Sequence, residues 1–265
     1  MKVYISVDME GIAATAVWDE VDHKHKDYPL FQNQMTAEAA AACEGALAGG
    51  ATEIVVKDAH ASGRNIDASA LPKEARLIRG WSGHPYSMMQ ELDDSFTCAL
   101  MIGYHSRTGS GGNPLSHTMT GKATEITIND IKTSEFLLNS FTAALHQVPV
   151  IFLSGDEALC EHAKKLIPSI NTVGVKRGVG NSVVTIHPEK VVEEIKSVVA
   201  QTLPGETTSC LLELPKHFKI KIRFHKPKDA YKASFYPGMI LEDDQIVSFE
   251  TDDWMESLRM IHFVL

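Results

Sequence analysis

The apolar residues of this chain gather in short unbroken runs, and each run stops on polar residues. The first is residues 3–7 of "KVYISVDMEGI"; "TEIVVKDAH" (52–60) and "TCALMIGYHS" (97–106) repeat the plan. Runs of this length, apolar at nearly every position, predict strands buried on both faces of a parallel sheet. Between them lie helical patterns. "MTAEAAAACEGALAGG" (35–50) is a helix by its alanines and stops at a glycine pair. "SEFLLNSFTAALHQ" (134–147) is a second, with Thr133 or Ser134 as its N-cap. "GKATEITINDIKTSE" reads as a polar hairpin-like stretch, and "VPVIFLSGDEALCEHAKKLIP" as strand, turn and helix. The alternation predicts an α/β protein: a largely parallel central sheet with helices on both faces.

The texture changes near "QTLPGETTSCLLELPKH" (201–217), rich in Pro, Gly and Thr. Beyond it "KIKIRFH" alternates like a half-exposed strand, followed by helix, strand and terminal helix in "DAYKASF", "QIVSFE" and "DDWMESLRMIHFVL". The expected organisation is an α/β domain holding the site over 1–205 and a smaller α+β lobe over 206–265 that can pack as part of the same domain.

Composition narrows the partners. A net charge of −9 argues against nucleic acid, which needs concentrated Lys and Arg. No apolar run approaches bilayer-spanning length, so no membrane partner is expected. Cys43, Cys98, Cys160 and Cys210 are scattered without a CxxC pair, which disfavours a thiolate zinc site or a disulfide framework. With no apolar leader segment ahead of the first strand, a cytoplasmic location is expected.

The chemistry lies where the strands end. Asp8 and Glu10 follow the first run, Asp58 and His60 the second, His105 the third. In open α/β sheets the ligand crevice lies beyond the carboxyl ends of the strands. The period of two lets Asp8 and Glu10 point the same way, as can Asp58 and His60. Singly, each has an ordinary explanation: a D-x-E can open a loop, an Asp can cap a helix, a strand-end His can be satisfied locally. Together, at three equivalent ends, carboxylates and imidazoles form a donor set suited to zinc. Glu135 in the first helical turn is by itself a favourable dipole partner, and His117 closes the loop "GGNPLSHTM". "RGVGN" and "SRTGSGG" lack the lysine of a phosphate-binding loop, and "FLSGDEA" lacks a nucleophile elbow around Ser154.

With those residues in place, the chain resembles the DppA-type zinc D-aminopeptidase family of bacterial dipeptide-transport operons. The blocks "SVDMEGI", "VKDAH", "MIGYHS", "LSHTM", "IND" with "SEFLLN", "IPSINTVGVK" and "YPGM" occur in family order across nearly the whole chain. The resemblance implies two zinc ions per subunit, with manganese or cobalt as alternatives. It implies that Asp8 bridges them, that Glu10 and His60 complete one site, and that His105 and Glu135 complete the other. It makes His117 the catalytic residue, usually called a nucleophile, and implies ring-type homo-oligomers, a decamer of stacked pentamers around a chamber for short peptides. The segments "GIAATAVWDEVDHKHK", "GRNIDASALP" and "KRGVGNS" depart from the family, as does the glycine-rich loop before His117.

The chemistry is coherent. Three carboxylates against two dications leave one net positive charge to lower the pKa of a bound water. Asp58 is not needed as a ligand and is expected to support the site from behind or hold the following loop. His117 suits proton transfer or an oxyanion hydrogen bond, with the nucleophile role as the competing assignment. The expected activity is hydrolysis of short peptides with an N-terminal D-residue, such as D-Ala dipeptides. The alternatives are an L-specific aminopeptidase or small-amide hydrolase on the same site, a two-metal phosphoesterase, and a non-catalytic metal-binding assembly protein.

Overall fold

In the computed structural model, which describes residues 1–205 and 207–265, the three apolar runs are strands β1 (Lys2–Val7), β2 (Glu53–Asp58) and β4 (Cys98–Tyr104). With β3 (Ala75–Ile78), β7 (Val150–Asp156), β8 (Asn171–Val179) and β9 (Ser182–Thr185) they form a seven-stranded sheet in the order β3-β2-β1-β4-β7-β8-β9. All its pairings are parallel except β8–β9. Helices α1 (Tyr28–Ala48), α2 (Glu135–Leu145), α3 (Glu157–Leu166) and α4 (Pro188–Thr202) cover it on both faces. The helix expected over 35–50 in fact starts at Tyr28, because Asp27 takes the N-cap position and Pro29 lies in the first turn, where its missing N–H costs nothing.

A second, antiparallel sheet runs β11-β12-β10-β5-β6. It joins β5 (Ala123–Ile128) and β6 (Ile131–Lys132) to β10 (Phe218–Phe224), β11 (Ile240–Asp243) and β12 (Ile246–Thr251). Helices α5 (Pro227–Ala233) and α6 (Trp254–Val264) pack on it. The expected start of the smaller lobe, residue 206, lies outside the described residues.

Helix α2 is the wall between two hydrophobic cores, which is why it is apolar nearly all round. Phe136 and Ala143 join the core of the larger sheet, while Leu137, Leu138 and Phe141 join that of the smaller. Two hydrogen bonds fix its setting. Asn139 Nδ2 donates to the Tyr104 hydroxyl at the end of β4 (2.9 Å), and Trp254 Nε1 donates to Thr142 Oγ1 (3.1 Å).

Strand order reverses between β1 and β4: from β1 the chain builds outward to β2 and β3, then returns to add β4 on the other side. Such a switch point opens a crevice at the carboxyl ends. Here the crevice floor is drawn tight by two glycines. Gly11 N donates to Gly103 O at 2.8 Å, and a Cβ on Gly11 would lie 1.8 Å from the Tyr104 carbonyl oxygen. Gly103 has φ +68°, and its Cβ would meet Asp8 O at 2.4 Å. Gly103→Ala therefore combines left-handed strain with a backbone clash, and is expected to destabilise the fold by about 3 kcal/mol. A urea-unfolding midpoint equal to wild type would refute this account of the crevice floor.

Candidate metal centre

Six of the seven residues singled out in the sequence meet at this crevice. Asp8 and Glu10 leave β1, His60 follows β2, His105 follows β4, Glu135 opens α2, and His117 arrives on the loop that leads to β5. All but His117 are at most 5% exposed. The Asp8 carboxylate divides between two histidines: Oδ1 lies 3.5 Å from His60 Nδ1 and Oδ2 lies 3.4 Å from His105 Nε2. Glu10 Oε2 is 3.0 Å from His60 Nδ1, and Glu135 Oε2 is 3.3 Å from His105 Nε2. His117 Nε2 lies 3.6 Å from the other Glu135 oxygen, and its ring stacks on His105 with centroids 4.2 Å apart.

Each imidazole is oriented by a backbone carbonyl on its far side. His60 Nε2 sits 2.8 Å from Val21 O, His105 Nδ1 2.9 Å from Ser106 O, and His117 Nδ1 2.9 Å from Leu115 O. A carbonyl only accepts, so those nitrogens carry hydrogen, and in each neutral ring the nitrogen facing the carboxylates is a lone pair. This is how metal-binding histidines are held in structures generally.

Asp58 stands apart. Its buried carboxylate accepts from Asn65 N (2.5 Å), Ile66 N (2.7 Å) and Asn65 Nδ2 (2.7 Å), which fastens the turn after His60. The same Asn65 amide donates to His60 O at 2.7 Å. Ser134 caps α2 by accepting from Leu137 N, and Met119 N donates to Glu135 Oε1 at 2.6 Å, tying the His117 loop to the helix start.

The donor set fits a cation. Asp8 Oδ2 and His105 Nε2 are buried with no hydrogen-bond partner among the described residues. Two trios of ligand atoms lie within 4.8 Å of one another: Asp8, Glu10, His105 and His105, His117, Glu135. Burial, then the neighbouring Glu10, raises the Asp8 carboxyl above its ordinary value. Burial acts the same way on Glu10 and Glu135, but His60 and His105 respectively outweigh it and hold both carboxyls low. Burial alone would disfavour charged His60 and His105, yet Glu10 and Glu135, with Asp8, push both imidazoles well above the usual range. Buried carboxylates here call for positive charge, which imidazolium protons supply and a dication would replace.

A family model described as D-aminopeptidase, peptidase M55, matches residues 1–263. The chain is 33% identical over 261 residues to the D-aminopeptidase of Bacillus subtilis (strain 168), covering 98% of this chain and 94% of that protein. The chain belongs to the M55 D-aminopeptidase family. Among solved structures it superposes on the Zn-dependent D-aminopeptidase DppA from Bacillus subtilis, described as a self-compartmentalizing protease. That match has a TM-score of 0.94 and 31% identity, over 100% of this chain and 96% of the other.

Around this M55 centre lie residues that strand-end reasoning does not find. A cavity of about 580 Å³ opens onto Asp8, Glu10, His60, Glu135 and His117, and its outer wall carries Trp18 and Trp81. Trp18 meets the His117 ring edge-on at 5.3 Å. Trp81 is held by Lys57 Nζ over its ring (3.9 Å) and by its indole N–H donating to Ala61 O (2.8 Å). Two exposed tryptophans, Trp18 in a segment that departs from the family and Trp81 just after β3, are the sequence signal for a pocket wall, but only if both are known to face the site.

Lys176 is the other omission. Buried beneath the first loop and pushed down to about 8 by burial, it donates to Glu10 O and Thr15 O (2.7 Å each) and to the Thr15 hydroxyl. Asn113 Nδ2 reaches the same Glu10 carbonyl at 2.9 Å.

Glu38 of α1 closes that loop from the other side, accepting from Ala13 N (2.9 Å) and Gln34 Nε2 (2.8 Å). Burial lifts its carboxyl from 4.5 to about 7. A raised folded-state value means this group's stability contribution is full below 4.5 and is lost as pH rises to about 7, by about 3 kcal/mol in all. Glu38→Gln keeps both accepted hydrogen bonds and removes that decline. Unfolding midpoints at about pH 5 and about pH 7.5 should converge in the variant relative to wild type; an unchanged pH slope would contradict the assignment.

Proposed function

We propose that this chain is a dinuclear zinc aminopeptidase that removes an N-terminal D-residue from short peptides. One observation carries the reading. The two oxygens of Asp8 are aimed at different histidines, one in a group with Glu10 and His60, the other in a group with His105 and Glu135. A carboxylate shared in this way is what a bridge between two ions requires. Asp8, Glu10, His60, His105 and Glu135 are the proposed ligands, with manganese or cobalt as chemically acceptable substitutes for zinc. When bound, the ions supply Lewis acidity at the scissile carbonyl and an acidified water at neutral pH.

The chain's own residues do the rest. His117, fixed by Leu115 O with its Nε2 turned to the crevice, accepts a proton at Nε2 and returns it to the leaving amine. That cycle leaves the residue unchanged over a turnover and needs no covalent His adduct on an amide. Stacking on His105 and the edge of Trp18 hold its ring in one plane. The cavity admits a short peptide rather than a folded chain, and its tryptophan wall limits which side chains enter.

D-specificity draws its support from the D-aminopeptidase relatives. Assembly into a ring, proposed as stacked pentamers, draws on the self-compartmentalizing description of the solved relative. It also agrees with the apolar side chains left exposed in the smaller sheet region, Tyr231, Phe235, Ile240 and Phe263. No helix of the described residues is long and apolar enough to cross a membrane.

The test is a paired assay of D-Ala-D-Ala and L-Ala-L-Ala with zinc counted in the same sample. Two zinc ions per chain and faster D-cleavage are expected. Faster L-cleavage would overturn the stereochemical assignment, and one ion per chain the bridge.

A further inference from the structure

We propose that the cavity between α3 and the loop following His105 binds a small oxyanion of the phosphate class. It measures about 180 Å³ and is separate in its lining from the substrate cavity. One side is a face of α3 carrying Ala158, His162 and Lys165; the other brings Arg107, Ser110 and Ser134.

What recommends an anion is a surplus of donors without acceptors. In a chain of net charge −9, Arg107 and Lys165 make no ion pair among the described residues. The contrast within the same molecule is informative: Lys190 and Glu194, four apart on α4, pair at 3.6 Å, whereas Glu161 and Lys165, four apart on α3, do not. Arg107 Nη1 donates to Thr108 O at 2.8 Å, leaving the other guanidinium hydrogens uncommitted. Ser110 Oγ accepts from Gly112 N and Ser134 Oγ from Leu137 N, so each hydroxyl keeps its hydrogen to give. His162 Nε2 is buried and has no partner among the described residues.

The local field agrees with this. His162 is held below the ordinary imidazole value by burial first, then by the positive charges of Arg107 and Lys165. Ser106 also faces the cavity, but its hydroxyl is already given to Asp156, whose carboxylate is occupied by Ser106 N and Leu159 N as well. Glu161 is exposed on the rim and is the one carboxylate lining the cavity among the described residues. An oxyanion brings only acceptors and negative charge, which is what two cations and two free hydroxyl hydrogens lack.

The position gives such binding a consequence. Ser106 and Ser134 directly adjoin His105 and Glu135 in sequence, so the cavity is lined by the immediate neighbours of two residues of the metal centre. An anion there would hold the start of the His117 loop against α2 and α3.

The experiment titrates inorganic phosphate into the zinc-loaded protein by isothermal calorimetry, for wild type, Lys165→Gln and Arg107→Gln. Lys165 is exposed, so its replacement should leave melting temperature and peptidase activity in phosphate-free buffer unchanged. The expected result is a binding component that weakens about tenfold or more in each variant. Phosphate drawn to the metal centre instead would compete with peptide and bind all three proteins equally. Equal isotherms for wild type and both variants, or no phosphate heat in wild type, overturn the proposal. Neither outcome touches the peptidase reading, which rests on zinc content and dipeptide cleavage.

Discussion

Replacing His60 by alanine is expected to cost the protein more than about a hundredfold in zinc affinity and nearly all of its peptidase activity. Changes to groups that merely support a ligand already cost roughly ten- to a hundredfold, and His60 stands directly against both Asp8 and Glu10. The variant also leaves a buried pair of carboxylates with one cationic partner fewer, so the folded protein should lose stability when metal-free. Zinc measured by emission spectrometry after dialysis, with D-Ala-D-Ala turnover on the same sample, reads both effects. Full zinc content in His60→Ala would remove that residue from the ligand set, and activity that survives chelation in wild type would remove the metal from the reaction.

His117→Ala is expected to behave in the opposite sense. kcat should fall by about a hundred- to ten-thousandfold, the range for loss of a positioned acid–base group, while zinc content stays at the wild-type value. The contrast matters because geometry alone permits another role: His117 Nε2 belongs to one of the two compact ligand trios, with His105 and Glu135. Its 17% side-chain exposure, against 0% for His105, places it at the cavity wall rather than in the buried cluster. Loss of one zinc per chain in His117→Ala would make it a ligand. Retained zinc with lost turnover supports the proton-transfer role, and a solvent-accessible amine added to the assay offers a rescue that a missing ligand would not allow.

Much of this centre is legible in the amino-acid sequence, and the reason is local. Residues 3–7, 54–56 and 98–102 are apolar enough to be buried strands, and a buried parallel strand must release its next polar residues at a sheet edge. That places Asp8, Glu10, His60 and His105 at one end together. Ser134 marks the start of α2 by cap chemistry, and so locates Glu135 in its first turn.

The parts that are not legible are those whose signal depends on partners far along the chain. "RGVGN" shows only that it is no phosphate loop; it is the end of β8 and the turn into β9, with Gly180 at φ +59°. Strands β3 and β11 carry no comparable signal, and helix α4 carries one of another kind, an apolar stripe with Val191, Ile195 and Val199 four positions apart. β11 is exposed along its whole length and α4 buries only Val191, Ile195 and Val199, so neither contains a dense apolar run. The polar stretch at 123–132 reads as a hairpin, but nothing local says that β5 pairs with β10, nearly a hundred positions on.

By itself, then, the sequence determined the class of fold, the strand ends that meet, and the kinds of donor they carry, because burial and period-two geometry act over a few residues. Tertiary structure alone decided how those donors are shared. Gly11 and Gly103 bring β1 against β4 closely enough for one carboxylate to face two histidines. α2, wedged between two cores, sets the Glu135 distance, and the carbonyl of Val21, far from His60 in sequence, chooses which nitrogen of that imidazole looks inward. Most of these are contacts between segments distant in sequence, fixed only when the whole chain is packed.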